Sequence, residues 1–310
     1  MTHGSIIGYD INAKMCQISY YNEKTQEPET VDTGIEKENN QIPLVMNYYK
    51  ETWTYGRQAR RMSTVRDSIC VEGIWECALG NGKIEVDGQE YEGVQLLADF
   101  VKYTLNGFEE IESITFTVPE KNEDIRVLLK GIGQKLGVAK ENIYVQDYKE
   151  SFCHYMFNQP KELWQYESAL FYCDEDRIKA YMLRRLRVDA SHGMNSFVTV
   201  DEVANAQRKE LEALYPIMNK EKSPDESFKS MIENVFEKKV ISSVYLTGEG
   251  FEKNWYPNSL RVLCNGRRAF MGNNLYSKGA CYKSIRKCEP NDDGPIYLDE
   301  TKLTERICLR

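Results

Sequence analysis

At 310 residues, 41% of them hydrophobic and 11% aromatic, the chain has enough apolar mass to bury a core and is long for a single one, so two lobes are expected. A formal net charge of −8 argues against a dominant nucleic-acid surface. Nine cysteines without a CxxC pair, and three histidines at no ligand-like spacing from them, argue against structural zinc and a disulfide framework. The start MTHGSIIGYD has no basic n-region or apolar h-region, and no long apolar run follows it. A cytoplasmic location with reduced thiols is the expectation.

In chain order, SIIGYDINAKMCQISYYN reads as a strand, a tight turn at Asp10-Ile-Asn-Ala, and a second strand. QIPLVMNYYKETWTYG resumes strand character after a polar stretch, Gly56 ends it, and RQARRMS follows with helical character. Turns are marked by Gly80-Asn-Gly82 and by Asp87-Gly88. In YEGVQLLADFVKYTLNGF, the apolar residues Val94, Leu97, Phe100, Val101 and Leu105 fall at helical spacing, closed by Asn106-Gly107. The strand IESITFTVPE, the helix EDIRVLLKGIGQKLG, the strand NIYVQDY and a helical stretch through SFCHYMF then alternate, which is an α/β pattern. ALFYCDEDRIKAYML reads as a hairpin with acids at its tip, and Arg184, Arg185 and Arg187 lie in or past its second arm. VTVDEVANAQRKELEALYPIM follows, with Ser196 or Thr199 as a candidate helix cap. PDESFKSMIENVFEKK carries Pro224 near the first helical position and acids in the first turn. The strand VISSVYLTGEG ends in Gly248 and Gly250. His154 and His192 have no partner at catalytic spacing.

Taken in this order, the pieces resemble the actin-like ATPase superfamily, and within it the nucleotide-binding domain of the Hsp70 chaperones. IIGYDINAKMCQISYY resembles the first phosphate loop; IPLVMNYYKETWTYGRQA, with Pro43, Gly56 and Ala59, is similar to the chaperone hairpin that follows. ITFTVPEKNEDIRVLLKGIGQKLGVAKENIYVQDYKESFCHYMF resembles the strand, Val-Pro, helix, strand and connecting helix of that family. VYLTGEGFEKNW looks like the adenosine motif. GNNLYSKGACYKSI resembles the closing helix, where Gly279 and Ala280 permit a close crossing; an uncharacterised bacterial domain-of-unknown-function group is also similar there. The resemblance runs from residue 5 to about residue 287 and implies an α/β protein with two ribonuclease H-like lobes around a central cleft. Lobe I would take residues 1–165, lobe II residues 166–290, and a C-terminal strand or linker residues 291–310.

The same resemblance implies ATP or ADP with Mg²⁺ as cofactor. Asp10 and Asp174 would hold the metal through water; Asp10, Asn12, Lys14, Asp174, Gly248, Glu249 and Gly250 would bind the nucleotide; Asp147 would be the catalytic, water-orienting carboxylate. The residues depart from that pattern in two places. After Asp10 the expected glycine and hydroxyl are Asn12 and Ala13, and the expected glycine-rich second loop is Asp174-Glu175-Asp176-Arg177, whose acids would repel a phosphate. Lys14 is placed to reach a phosphate but reads first as a solvated turn residue, and Asp147 reads also as a helix N-cap. Lys149, Glu150 and Ser151 stand where the family has small residues. Two functions therefore compete: a nucleotide-dependent conformational switch with weak or altered binding and little hydrolysis, as a weak Mg-dependent ATPase at most, or a pseudo-ATPase interaction or assembly scaffold. Either implies a protein partner, and self-assembly is compatible with both; neither implies nucleic acid or membrane insertion.

Overall fold

The computed structural model describes residues 4–33, 40–174, 177–186, 197–207, 223–252, 255–288 and 295–299. The protein is mixed α/β and forms two compact units. One is Met1–Ser151 with Tyr276–Pro290, the other Phe152–Leu275 with Asn291–Arg310. Among the described residues no helix is long and apolar enough to cross a membrane.

In the first unit, strands β1 (Ser5–Ile11), β2 (Met15–Asn22) and β3 (Glu27–Thr30) follow one another as antiparallel neighbours. β4 (Ile42–Pro43) also pairs with β2. A three-stranded sheet comprises β5 (Met46–Tyr49), β6 (Thr52–Tyr55) and, beyond the short helix α1 (Gly56–Met62), β7 (Ile69–Val71). The short helix α2 (Ile74–Leu79) and the hairpin of β8 (Lys83–Val86) and β9 (Gln89–Glu92) lead into α3 (Gly93–Thr104). The helical spacing read from the sequence is the buried stripe of α3, with Leu97, Phe100 and Val101 all inaccessible.

β10 (Ile111–Val118) then runs parallel to β1. Helix α4 (Glu123–Lys135) starts where the Asn122 side chain accepts from the Ile125 N–H, with Glu123 and Asp124 in the first turn, where the helix dipole favours acids. β11 (Ile143–Asp147) adds parallel to β10, and α5 (Tyr148–Phe157) follows directly. The main sheet thus has the order β11-β10-β1-β2-β3. One face is apolar: Ile7, Tyr9, Phe116 and Val118 pack with Leu97, Phe100 and Ile132 of α3 and α4.

The second unit repeats this plan. β12 (Glu167–Cys173), β13 (Arg177–Leu186) and β14 (Phe197–Gln207) are antiparallel neighbours. After α6 (Pro224–Phe236), β15 (Ile241–Thr247) runs parallel to β12; after α7 (Pro257–Leu263), β16 (Arg268–Met271) runs parallel to β15. The order is β16-β15-β12-β13-β14, extended by β17 (Ile296–Tyr297) on the β14 edge. In both sheets the first strand is central, the second and third continue antiparallel on one side, and the fourth and fifth continue parallel on the other. The core of this unit gathers Phe171, Phe228, Phe251 and Tyr256.

Helix α8 (Leu275–Cys288) returns to the first unit from Tyr276 onward. Contrary to the expectation from sequence, Thr199 caps no helix, because it lies inside β14, opposite Arg184. Val198 and Val200 are buried on either side of it, and this β-branched alternation suits a strand. Ser196 and residues 208–222 lie outside the described residues, as do His192, Arg187, Glu175 and Asp176.

Candidate functional site

The second face of the main sheet in the first unit is polar, although it is buried. Register partners share a face, so Gln17, Asp10, Thr117 and Gln146 form one row across β2, β1, β10 and β11. The next row is Ser19, Gly8, Thr115 and Tyr144. Helix α8 lies on this second row. The Ser277 and Ser19 hydroxyls are 2.8 Å apart, Ser284 and Thr115 2.6 Å, and a Cβ on Gly8 would collide with backbone atoms of Ser277 and Cys281. Small and hydroxyl residues on both surfaces let the helix backbone approach the sheet, and their hydroxyls pair once water is gone.

Asp10 stands at the carboxyl end of β1, next to the first turn. Burial pushes its carboxyl up to about 7, and a hydrogen bond from Tyr148 acts in the opposite direction. Its Oδ1 has no partner. The Asn12 side chain closes the turn: its Oδ1 accepts from the Lys14 N–H at 2.8 Å and from the Met15 N–H at 3.1 Å. Asn12 Nδ2 lies 3.5 Å from the Tyr148 hydroxyl, so Tyr148 links the turn to Asp10. Lys14 is exposed, and its carbonyl accepts from Leu44 N–H at 2.8 Å.

Asp147 follows Gln146 but has the opposite parity, opposite Val118. Its Oδ1 accepts from the Glu150 N–H at 2.8 Å, the contact of a helix N-cap, and its Oδ2 lies 3.6 Å from Lys121 Nζ. Glu150 bridges Lys121 at 3.0 Å and Lys283 at 2.9 Å. The two acids and two lysines thus balance their charges locally, and Asp10 lies in a different row.

In the second unit, Asp174, Gly248 and Gly250 gather around Cys173, with Glu249 between the two glycines in sequence. The Asp174 carboxylate turns back into its own hairpin and accepts from Arg177 N–H at 2.7 Å, while Asp174 N–H donates to the Arg177 carbonyl at 3.0 Å. Gly248 has φ of +100°, and a Cβ there would strike the Cys173 carbonyl; a Cβ on Gly250 would strike Cys173 Sγ. These glycines are required by contact with the end of β12. Gly248 N–H donates to Asn273 Oδ1 at 2.9 Å, and Glu249 begins a single 3₁₀ turn. Arg184 bridges Glu167 and Asp201 at 3.3 and 3.0 Å, and Arg185 lies over the Trp164 ring.

The structure thus brings Asp10 and Asn12 together in the first unit, and Asp174 with Gly248 and Gly250 in the second. Thr117 and Gln146 were missed in the sequence. The signal was present: Ser113, Thr115 and Thr117 alternate with buried apolar residues in β10, which marks a strand covered on both faces with one of them polar. His154 is buried against Phe157. Among the described residues no group of three or more His, Cys, Asp or Glu could hold a metal ion.

Over residues 27–300 the chain matches the model of a family described as "Family of unknown function (DUF5716) C-terminal". No curated protein matches it.

Proposed function

The chain belongs to this family of unknown function, and we propose that it is a pseudo-ATPase: a protein of actin-like topology that serves as an interaction or assembly scaffold. The fold part of this reading is supported by the strand order common to the two sheets, first strand central, second and third antiparallel, fourth and fifth parallel. That connectivity is the one expected of two ribonuclease H-like units.

The observation that carries the functional part is that, among the described residues, backbone N–H groups of both turns are taken by side chains of the turns themselves. A phosphate-gripping hairpin offers free backbone N–H groups, usually next to glycine, so that the anion comes close. Here the Asn12 oxygen accepts from two such groups in the first turn, and Asp174 accepts from Arg177 N–H in the second. Each turn supplies its own acceptor from within, and in the second that acceptor is itself an anion. The acids expected to hold Mg²⁺ fit poorly as well. Asp10 is a buried carboxyl whose ionisation is disfavoured, and Asp174 is engaged in its turn. The residues present therefore do not fit Mg-nucleotide, and no hydrolytic step is assigned to Asp147.

A second reading, the nucleotide-dependent switch, keeps one observation in its favour: Asp10, one residue before the end of β1, has an oxygen that lacks a partner. Calorimetric titration of the full chain with ATP and ADP, with and without Mg²⁺, separates the two. Absence of heat at millimolar nucleotide is expected. Micromolar, Mg²⁺-dependent binding would replace the scaffold with the switch.

A further inference from the structure

Among the buried polar atoms of the first unit's described residues that lack a partner within the protein, four belong to a single row: Asp10 Oδ1, Thr117 Oγ1, and both Oε1 and Nε2 of Gln146. Asp10 pairs in register with Thr117, and Thr117 with Gln146, so the three side chains leave the same face side by side. They are 8%, 0% and 1% exposed. Buried polar groups in folded proteins are nearly always paired, and a run of orphans in register requires an occupant.

Neighbouring strands lie about 4.8 Å apart, and although register partners can bond directly across that distance, as the Ser168 and Ser243 hydroxyls do at 3.4 Å, none of these four atoms meets a protein partner. A gap of strand spacing is left between them. It suits one water, which spans it with two bonds of about 2.8 Å. We propose that the row Asp10, Thr117 and Gln146 is a water-binding site, taking a pair of bridging waters and closed to divalent metal. The polarity of the row matches this occupant. Asp10 Oδ1 and Gln146 Oε1 accept, Gln146 Nε2 donates, and the Thr117 hydroxyl does either, so each water finds the mixed donors and acceptors that buried waters take.

Mg²⁺ is a poor match for the same row. It demands octahedral oxygen ligands at about 2.1 Å, or keeps a hydration shell wider than the gap between neighbouring strands. One carboxylate flanked by a hydroxyl and an amide supplies little charge to draw the ion out of water. The site goes beyond the scaffold reading and stands whether or not the protein binds nucleotide. It gives Thr117 and Gln146 a defined task, that of holding water beside Asp10.

The test uses crystals of the full chain soaked in MnCl₂, with anomalous scattering recorded at the manganese edge, and spin-resonance titration of Mn²⁺ in solution. The expected result is a pair of ordered water peaks between the three side chains without anomalous signal, and no Mn²⁺ binding that depends on Asp10. A manganese peak on Asp10 Oδ1 overturns the proposal, as does Mn²⁺ binding by the parent that weakens tenfold or more in Asp10→Asn. A dry row, with the three side chains bonded directly to one another, overturns it too. Gln146→Leu, which removes both amide atoms at similar volume, is expected to lose the water nearest β11 and keep the one between Asp10 and Thr117.

Discussion

The rings of Tyr148 and Tyr276 stack with centroids 3.7 Å apart and planes 6° from parallel, joining the first residue of α5 to the start of α8. The Tyr148 hydroxyl serves Asp10, so one side chain both packs α8 and tunes the acid. Burial holds the Asp10 carboxyl at about 7, whereas an unfolded aspartate titrates near ~3.9. The folded state therefore binds more protons than the unfolded state between those values, and stability falls as pH rises. The contribution from Asp10 is fully present below about pH 4 and is lost by about pH 7, on the order of 3–4 kcal/mol. Urea unfolding of the parent and of Asp10→Asn at several pH values should show this slope in the parent and its loss in the variant. Tyr148→Phe keeps the stack and removes the hydrogen bond, so the Asp10 titration, followed by carbon NMR, should move upward.

Gly8 shows how closely α8 approaches the sheet. A Cβ there would overlap the Ser277 carbonyl and Cys281 backbone, neither of which can swing aside as a flexible side chain would. Gly8→Ala should destabilise the chain by about 1–3 kcal/mol or more, the range of overpacked cores. Gly107→Ala meets no atom within 4 Å and needs no unusual φ, so it serves as the control. Equal unfolding midpoints for the two variants would show that α8 does not depend on close contact at Gly8.

The α/β alternation, the two hairpins and most strands were legible because their signals are local. Apolar periodicity marked α3, and the Pro224 start marked α6, where the structure adds a capping box between Ser223 and Glu226. β14 was misread because a β-branched run and a helix start look alike until the partner strand β13 is known. The polar row was invisible for a related reason. Thr117 and Gln146 are 29 positions apart, and only the parallel register of β10 with β11 sets them beside each other. Asn12 could be read as a glycine substitute in a turn, but not as the acceptor that closes it, since that depends on where its amide points.

Asp225 should give the opposite pH response to Asp10. It stands in the first turn of α6 and caps α7, accepting from Asn258 N–H at 2.7 Å and from Ser259 N–H and hydroxyl at 2.8 and 2.7 Å. Burial alone would raise its carboxyl, but the hydrogen bonds from Ser259 and Asn258 outweigh it and hold the group below the usual value. The folded state therefore releases this proton more readily. Its stabilisation is present above the unfolded value near ~3.9 and is lost as pH falls through the lower folded one. Asp225→Ala strips the first turn of α7 of its acceptor and should cost about 1–3 kcal/mol at neutral pH. The difference from the parent should shrink in acid, which urea unfolding at pH 7 and near pH 3 would check.

Closure of the first turn by Asn12 makes an expectation in which function and stability move in opposite directions. Asn12→Gly removes the acceptor for Lys14 N–H and Met15 N–H while leaving a residue that tolerates the turn. Loss of these hydrogen bonds should lower stability by about 1–2 kcal/mol. The released N–H groups would then face solvent beside the Lys14 side chain, an arrangement suited to an anion. Calorimetry with inorganic phosphate and with ATP should therefore detect binding by Asn12→Gly that the parent lacks. If the variant loses stability and still ignores both anions, the self-closed turn does not decide anion binding, and the proposed scaffold reading rests instead on the burial of Asp10.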